Sequence, residues 1–151
     1  MTRVRVLVID DEPDMLENCQ RLLERAGYAV RTLAQPTAVR QVLQEFRPDI
    51  ALVDLRMPGA DGITVLAVLL AEDPAMPVII MTAFGSVASA VQAIREGAFD
   101  YIAKPFTAEQ LATTVERGAH HRGLVSGRTA SIEGPGLEEI LGRGPAMVRL
   151  L

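Results

Sequence analysis

The sequence predicts an α/β protein, a single doubly wound five-stranded parallel sheet with helices on both faces. Three observations predict it. Five short apolar runs, rich in β-branched and aliphatic residues, alternate with five segments of helical spacing. The joints between them are short and carry Gly, Pro, Asp or Ser. Four of the five runs end on a polar residue, and a parallel sheet delivers those four to one edge, the carboxyl ends of its strands, where open α/β sheets bind their ligands.

In chain order, Val4 to Ile9 is the first strand and stops on Asp10-Asp11-Glu12-Pro13. From Asp14, the residues Met15, Leu16, Cys19, Leu22, Leu23 and Ala26 recur at three- and four-residue spacing, and Gly27 follows as a C-terminal cap. Cys19 lies on that apolar face and is expected to pack as a small hydrophobe. Tyr28 to Leu33 is the second strand and Pro36 to Phe46 the second helix, with Val39, Val42, Leu43 and Phe46 inward. Ile50 to Asp54 is an uninterrupted apolar run ending on an acid, followed by Pro58-Gly59; it reads as a strand buried on both faces. The third helix covers Ile63 to Ala71 after Asp61-Gly62, and the fourth strand, Met76 to Met81, ends on Thr82-Ala83. Ser86 is placed to cap a helix over Val87 to Glu96, with Ala90, Val91 and Ile94 as its inward stripe and Gly97 as its stop. Phe99 to Ala103 is the fifth strand, ending on Lys104-Pro105. Thr107 caps the last helix, with Leu111, Val115 and Ala119 inward. Right-handed crossovers are expected throughout.

Composition narrows the function. The chain has 151 residues, 49% hydrophobic and 23% charged, a globular balance. No apolar run approaches the roughly 18 residues of a membrane span, and Met1 to Arg5 leads straight into a strand instead of a signal-peptide core, so a soluble cytoplasmic protein is expected. One cysteine excludes an internal disulfide and a cysteine-based metal site. A net charge of −4 with scattered basic residues gives no footprint for nucleic acid. After Arg117 the pattern dissolves into Gly118, Gly123, Gly127, Gly134 and Gly136, which divides the chain into a domain over 1–118, a Gly/Ser-rich linker over 119–136 and a short apolar-spaced tail over 137–151. His120 and His121 read as solvated helix-end residues.

Asp10, Asp11 and Asp54 on one rim would repel one another and raise each other's pKa unless a cation sat among them. An all-oxygen donor set favours Mg2+, with the backbone carbonyl of Arg56 as one further oxygen. Thr82 and Lys104 bring a hydroxyl and a positive charge to the same rim, the complement of a phosphoryl group. The reaction class is phosphoryl transfer to a carboxylate, with Asp54 as nucleophile. Singly, each residue reads as a turn cap or a solvated side chain; their convergence argues otherwise. A phosphatase using an Asp-x-Asp pair is disfavoured because position 56 is Arg56. A binding module that signals without phosphate is the alternative, and the intact set of polar residues speaks against it.

Asp10-Asp11, the run Asp54 to Gly59 through Asp61-Gly62, Thr82-Ala83 and Lys104-Pro105-Phe106 together resemble the receiver domain of two-component response regulators, from about Val4 to Arg117. The resemblance implies a flavodoxin-like fold with strand order 2-1-3-4-5. It implies that Asp54 accepts phosphate from the phosphohistidine of a sensor kinase, that Asp11 binds Mg2+ directly and Asp10 partly through water, and that Thr82 and Lys104 hold the phosphoryl oxygens. Tyr101 matches the aromatic switch of the family, and the bond before Pro105 is expected to be cis. The stretches Ala83 to Ala88 and Ala93 to Phe106 are similar to nitrogen-regulatory and dicarboxylate-transport activators. Ile140 to Met147 looks like the start of their AAA+ ATPase domain, whose phosphate-binding loop is absent. The resemblance thus implies a bacterial regulator cut after its receiver, with a sensor kinase and its own AAA+ output domain as partners. A homodimer is expected, though Gly118 to Gly136 is a poor helix for a dimerising linker. Slow hydrolysis of its own phosphate is the only turnover implied.

Overall fold

The structure, a computed structural model, describes residues 3–57, 60–83 and 87–123. Among the described residues, seven strands and five helices follow one another: β1 (Arg5–Ile9), α1 (Pro13–Arg25), β2 (Ala29–Leu33), α2 (Val39–Phe46) after a single 3-10 turn at Pro36–Ala38, β3 (Ile50–Asp54), β4 (Arg56–Met57), β5 (Ala60–Asp61), α3 (Gly62–Glu72), β6 (Val78–Ala83), α4 (Val87–Arg95), β7 (Asp100–Lys104) and α5 (Ala108–Arg122). Five strands form one sheet in the order β2-β1-β3-β6-β7, all pairs parallel. Counted among themselves those five run 2-1-3-4-5, the doubly wound order that the resemblance implies. β4 and β5 form a separate antiparallel ladder of two residue pairs that apolar patterning could not signal.

Strand pleating divides the core in two. Leu7, Ile9, Ala51, Val53 and Ile80 face one way, onto Val42 and Leu43 of α2, Leu66 and Leu69 of α3 and Ala93 of α4. Val6, Val8, Leu52, Ile79 and Met81 face the other way, onto Leu16, Cys19 and Leu23 of α1 and Leu111, Val115 and Ala119 of α5. β3 is central, and all five of its residues are buried, Asp54 included. Each fully buried aliphatic side chain here stabilises the fold by about 1.5–3 kcal/mol.

Three differences from the sequence reading have physical reasons. The predicted stripe of α4 is corrected: Ala90 and Ala93 are fully buried, whereas Val91 and Ile94 are 44% and 40% exposed. With alanines in contact the helix can lie close to the sheet, and its larger residues are left outside. α5 continues through Gly118 to Arg122 and ends at Gly123, in the left-handed conformation with φ 86°. Gly118 does not break it, because it sits within the helix with Pro77, Phe99 and Ile50 next to its open side. The fourth strand begins at Val78 and runs two residues later than expected, since Thr82 and Ala83 still pair with Ala103 and Lys104 of β7. The turn at Pro58-Gly59, the cap assigned to Ser86 and the segment beyond Gly123, hence most of the linker and all of the tail, lie outside the described residues.

Candidate functional site

The site is built around the end of β3. Beyond Asp54, Leu55 N–H donates to Met81 O at 2.9 Å, and Leu55 O accepts from Gly62 N–H at 2.9 Å. α3 therefore starts directly against the turn that follows Asp54. The approach is close enough to require glycine: a Cβ at Gly62 would lie 2.7 Å from Asp54 O and 2.7 Å from Leu55 Cα. Asp61 caps α3 by accepting from Ile63 N–H at 3.0 Å. The sequence places Asp61-Gly62 just before the third helix but does not show this contact, which only the tertiary fold creates.

β1 is hydrogen-bonded beside β3 and brings Asp10 and Asp11 to the same end. Asp10 is fully buried and both its oxygens are engaged: Oδ1 accepts from Glu12 N–H at 2.9 Å and Oδ2 from Lys104 Nζ at 2.7 Å. Asp11 is exposed. One carboxylate oxygen from each of Asp10, Asp11 and Asp54 lies within 4.8 Å of the others. Lys104, at the end of β7, also stands 3.4 Å from Asp54 Oδ1 and 3.9 Å from Glu12 Oε1, a fourth carboxylate that sequence reasoning missed. The Lys104–Pro105 peptide is cis.

Thr82 follows Met81, the residue that pairs with Asp54 across β3 and β6. It is buried, and its hydroxyl donates to Ala83 O at 3.3 Å. Arg56 N–H donates to Asp54 Oδ1 at 3.4 Å, while its side chain is exposed. Tyr101 stands apart. It is 42% exposed and lines a groove with Pro105, Glu109, Thr113 and Arg117, because in β7 it is the neighbouring Ile102 that turns into the core. Of the residues predicted for the site, Asp10, Asp11 and Asp54 are thus in mutual reach with Lys104 beside Asp10 and Asp54, Thr82 is on the adjacent strand end, and Tyr101 is on the exposed side of β7.

The electrostatics follow from burial. Loss of solvent, then the charge of Asp10, pushes the Asp54 carboxyl from the ordinary 3.8 up to about 6, although Lys104 and the Arg56 N–H pull it down. For Lys104 burial acts downward, but the hydrogen bond and charge of Asp10, followed by Asp54, outweigh it and raise the ammonium. Cys19, in the core nearby, has its thiol pushed up to about 11 by burial and by Asp10; with its Sγ 3.8 Å from Met15 Sδ it is a packed thiol. One ammonium cannot balance three carboxylates, two of them buried. The donor set is all oxygen, so the pocket fits a hard divalent cation.

A parallel sheet with an acid triad and a lysine at the carboxyl ends of its strands defines a class, and the match to known families gives the same class. Residues 6–116 match the response regulator receiver domain model, and the chain belongs to that family. Among its relatives, the C4-dicarboxylate transport transcriptional regulatory protein DctD of Rhizobium meliloti is 39% identical over 96% of this chain and 32% of its own length. The DNA-binding transcriptional regulator NtrC of Escherichia coli is 37% identical over 97% of this chain and 31% of its own. The chain therefore spans about a third of the curated relatives it matches. A receiver domain protein from Clostridium thermocellum superposes with TM-score 0.75 at 34% identity, covering 81% of this chain and 98% of that one. NtrX of Brucella abortus, solved in complex with ADP, superposes with TM-score 0.78 at 28% identity over 91% of this chain and 31% of its own. The chain is a two-component receiver of the kind found in such bacterial transcriptional activators; phosphorylation and Mg2+ binding at an acidic pocket are general to the family. Among the described residues no helix is long and apolar enough to cross a membrane.

Proposed function

We propose that the chain is a phosphate-accepting switch, with Asp54 as the acceptor. The observation that carries this reading is the buried Asp54 carboxylate, held within 4.8 Å of Asp10 and Asp11 and 3.4 Å from Lys104 Nζ. In the reaction Asp54 Oδ attacks phosphorus, a P–O bond forms, the P–N bond of the kinase phosphohistidine breaks, and the imidazole departs with a proton. Mg2+, when bound, supplies charge neutralisation to the transferring group. Asp11, accessible at the rim, would ligate it directly. Asp10 has both oxygens already engaged and would reach it partly through water, with Asp54 and the Arg56 carbonyl completing the protein ligands. Lys104 holds one phosphoryl oxygen, and Thr82 another after its hydroxyl leaves Ala83 O. Tyr101, exposed here, is the two-state element of the switch and turns inward when Thr82 moves.

The partners in this reading are a sensor histidine kinase and the chain's own AAA+ output domain, in a cytoplasmic regulator that changes a dimer or partner surface on phosphorylation. Slow self-dephosphorylation is its only turnover. The division into a receiver, a linker and the start of an ATPase domain belongs to the same proposal, with the receiver's last helix reaching Arg122. A small phosphodonor, offered with and without Mg2+ to the wild type and to Asp54→Asn, tests it. Label should appear only in the wild type with metal; label in the mutant, or without metal, refutes the assignment.

A further inference from the structure

At the pole of the sheet opposite the acid pocket, the last residue of α5 makes two contacts that its place in the sequence does not suggest. Arg122 Nη1 donates to Asp49 O at 3.0 Å, and Nη2 pairs with Asp73 Oδ2 at 2.7 Å. Asp49 lies in the loop entering β3, and Asp73 closes α3 before β6, with its Oδ1 accepting from Ala75 N–H at 3.2 Å. Asp49 is itself fixed, since its N–H donates to Arg5 O at 2.8 Å and its Oδ2 accepts from Arg5 N–H at 2.8 Å. Next to Arg122, His121 packs its ring on Phe99, centroids 4.9 Å apart, at the foot of β7. Gly123 then ends the helix, its N–H donating to Ala119 O and His120 O.

We infer that Arg122 is a latch on the exit of the domain: it pins the last turn of α5 to the loops before β3 and β6, so that the chain leaves the receiver from one fixed point. Only the guanidinium can do this, because one planar fork serves a backbone carbonyl and a carboxylate at once. The five-residue length of β3 separates the latch from Asp54 by about 17 Å, so the latch can open without disturbing the acid pocket. Its loss would free the exit while leaving the fold and the phosphate chemistry in place. The latch stands whether or not Asp54 is the acceptor.

Hydrogen exchange on the full 151-residue chain tests it, using Arg122→Gln, Asp73→Asn and the double variant. Asp73→Asn keeps an oxygen for Ala75 N–H and puts an amide NH2, a donor, where Oδ2 accepts from Arg122. Arg122→Gln should speed exchange of the amides at residues 119–123 about tenfold and Asp73→Asn, which leaves the Asp49 contact, about threefold, with the double variant no faster than Arg122→Gln alone and β1 and β3 unchanged. Phosphate uptake from a small donor should equal that of the wild type. Exchange within twofold of wild type, additive effects in the double variant, or faster exchange spread through β1 and β3 would each overturn the latch.

Discussion

Asp54 is held in its folded site at a cost, and replacing it with asparagine should stabilise the metal-free protein. Its carboxyl rises from 3.8 to about 6 on folding, chiefly through burial and then through Asp10. At 1.36 kcal/mol for each unit, that is a penalty of about 3 kcal/mol on the ionised form. Asparagine removes the charge and keeps an oxygen for the Arg56 N–H, and Lys104 retains its 2.7 Å partner Asp10, so no buried charge is left alone. The sign of the pH dependence follows from linkage. Between 3.8 and about 6 the folded protein binds the Asp54 proton that the unfolded chain has lost, so wild-type stability from this group falls as pH rises through that window. The advantage of Asp54→Asn should be near zero below pH 3.8, grow through the window and level off above about pH 6. Urea unfolding of both proteins in EDTA across that range measures it. Adding Mg2+ should narrow the gap by stabilising the wild type, by about 1.4 kcal/mol at ten times its Kd. An Asp54→Asn protein less stable than wild type in EDTA at pH 7.5 would refute the assignment of a penalised, charge-crowded carboxylate.

Other outcomes follow from the same geometry. Gly62→Ala should cost about 1–3 kcal/mol in urea unfolding and slow phosphate uptake, since its Cβ meets the backbone of Asp54 and Leu55. Lys104→Gln removes the cation that holds the Asp54 pKa down, and NMR titration should place that carboxyl higher than in wild type; an unchanged or lower value would contradict the ion pairing. Thr107→Ala breaks the capping box in which Thr107 and Gln110 satisfy each other's backbone N–H groups, and a loss of about 1 kcal/mol in thermal or urea unfolding is expected.

The sheet was legible because its strands are apolar runs, nearly unbroken in the central β1, β3 and β6. A strand buried on both faces must read as a continuous aliphatic run, as Ile50 to Val53 does, and a charged residue at its end marks where the sheet meets solvent. The same logic located Asp10, Asp54, Thr82 and Lys104, each the first polar residue after such a run or within one residue of it. The helices were less well determined. Spacing placed Val91 and Ile94 on an inward stripe, but the depth at which a helix packs depends on the partner surface, and only Ala90 and Ala93 are small enough for the position α4 takes. Gly118 looked like a helix end, since glycine is costly in a helix interior; its neighbours Pro77, Phe99 and Ile50 come from elsewhere in the chain.

By itself, then, the sequence determined which residues reach the carboxyl edge, because strand direction and crossover hand leave a parallel sheet little choice. The tertiary structure decided what each of them meets there. Asp10 takes Lys104 across 94 residues of sequence, Tyr101 is turned outward by the core position of Ile102, and Glu12 comes within reach of the lysine. It also decided what the end of α5 rests on, since Arg122 is held by Asp49 and Asp73, 73 and 49 residues earlier. Periodicity reports which face of an element is buried; contacts between elements depend on how the faces come together, and no local pattern encodes them.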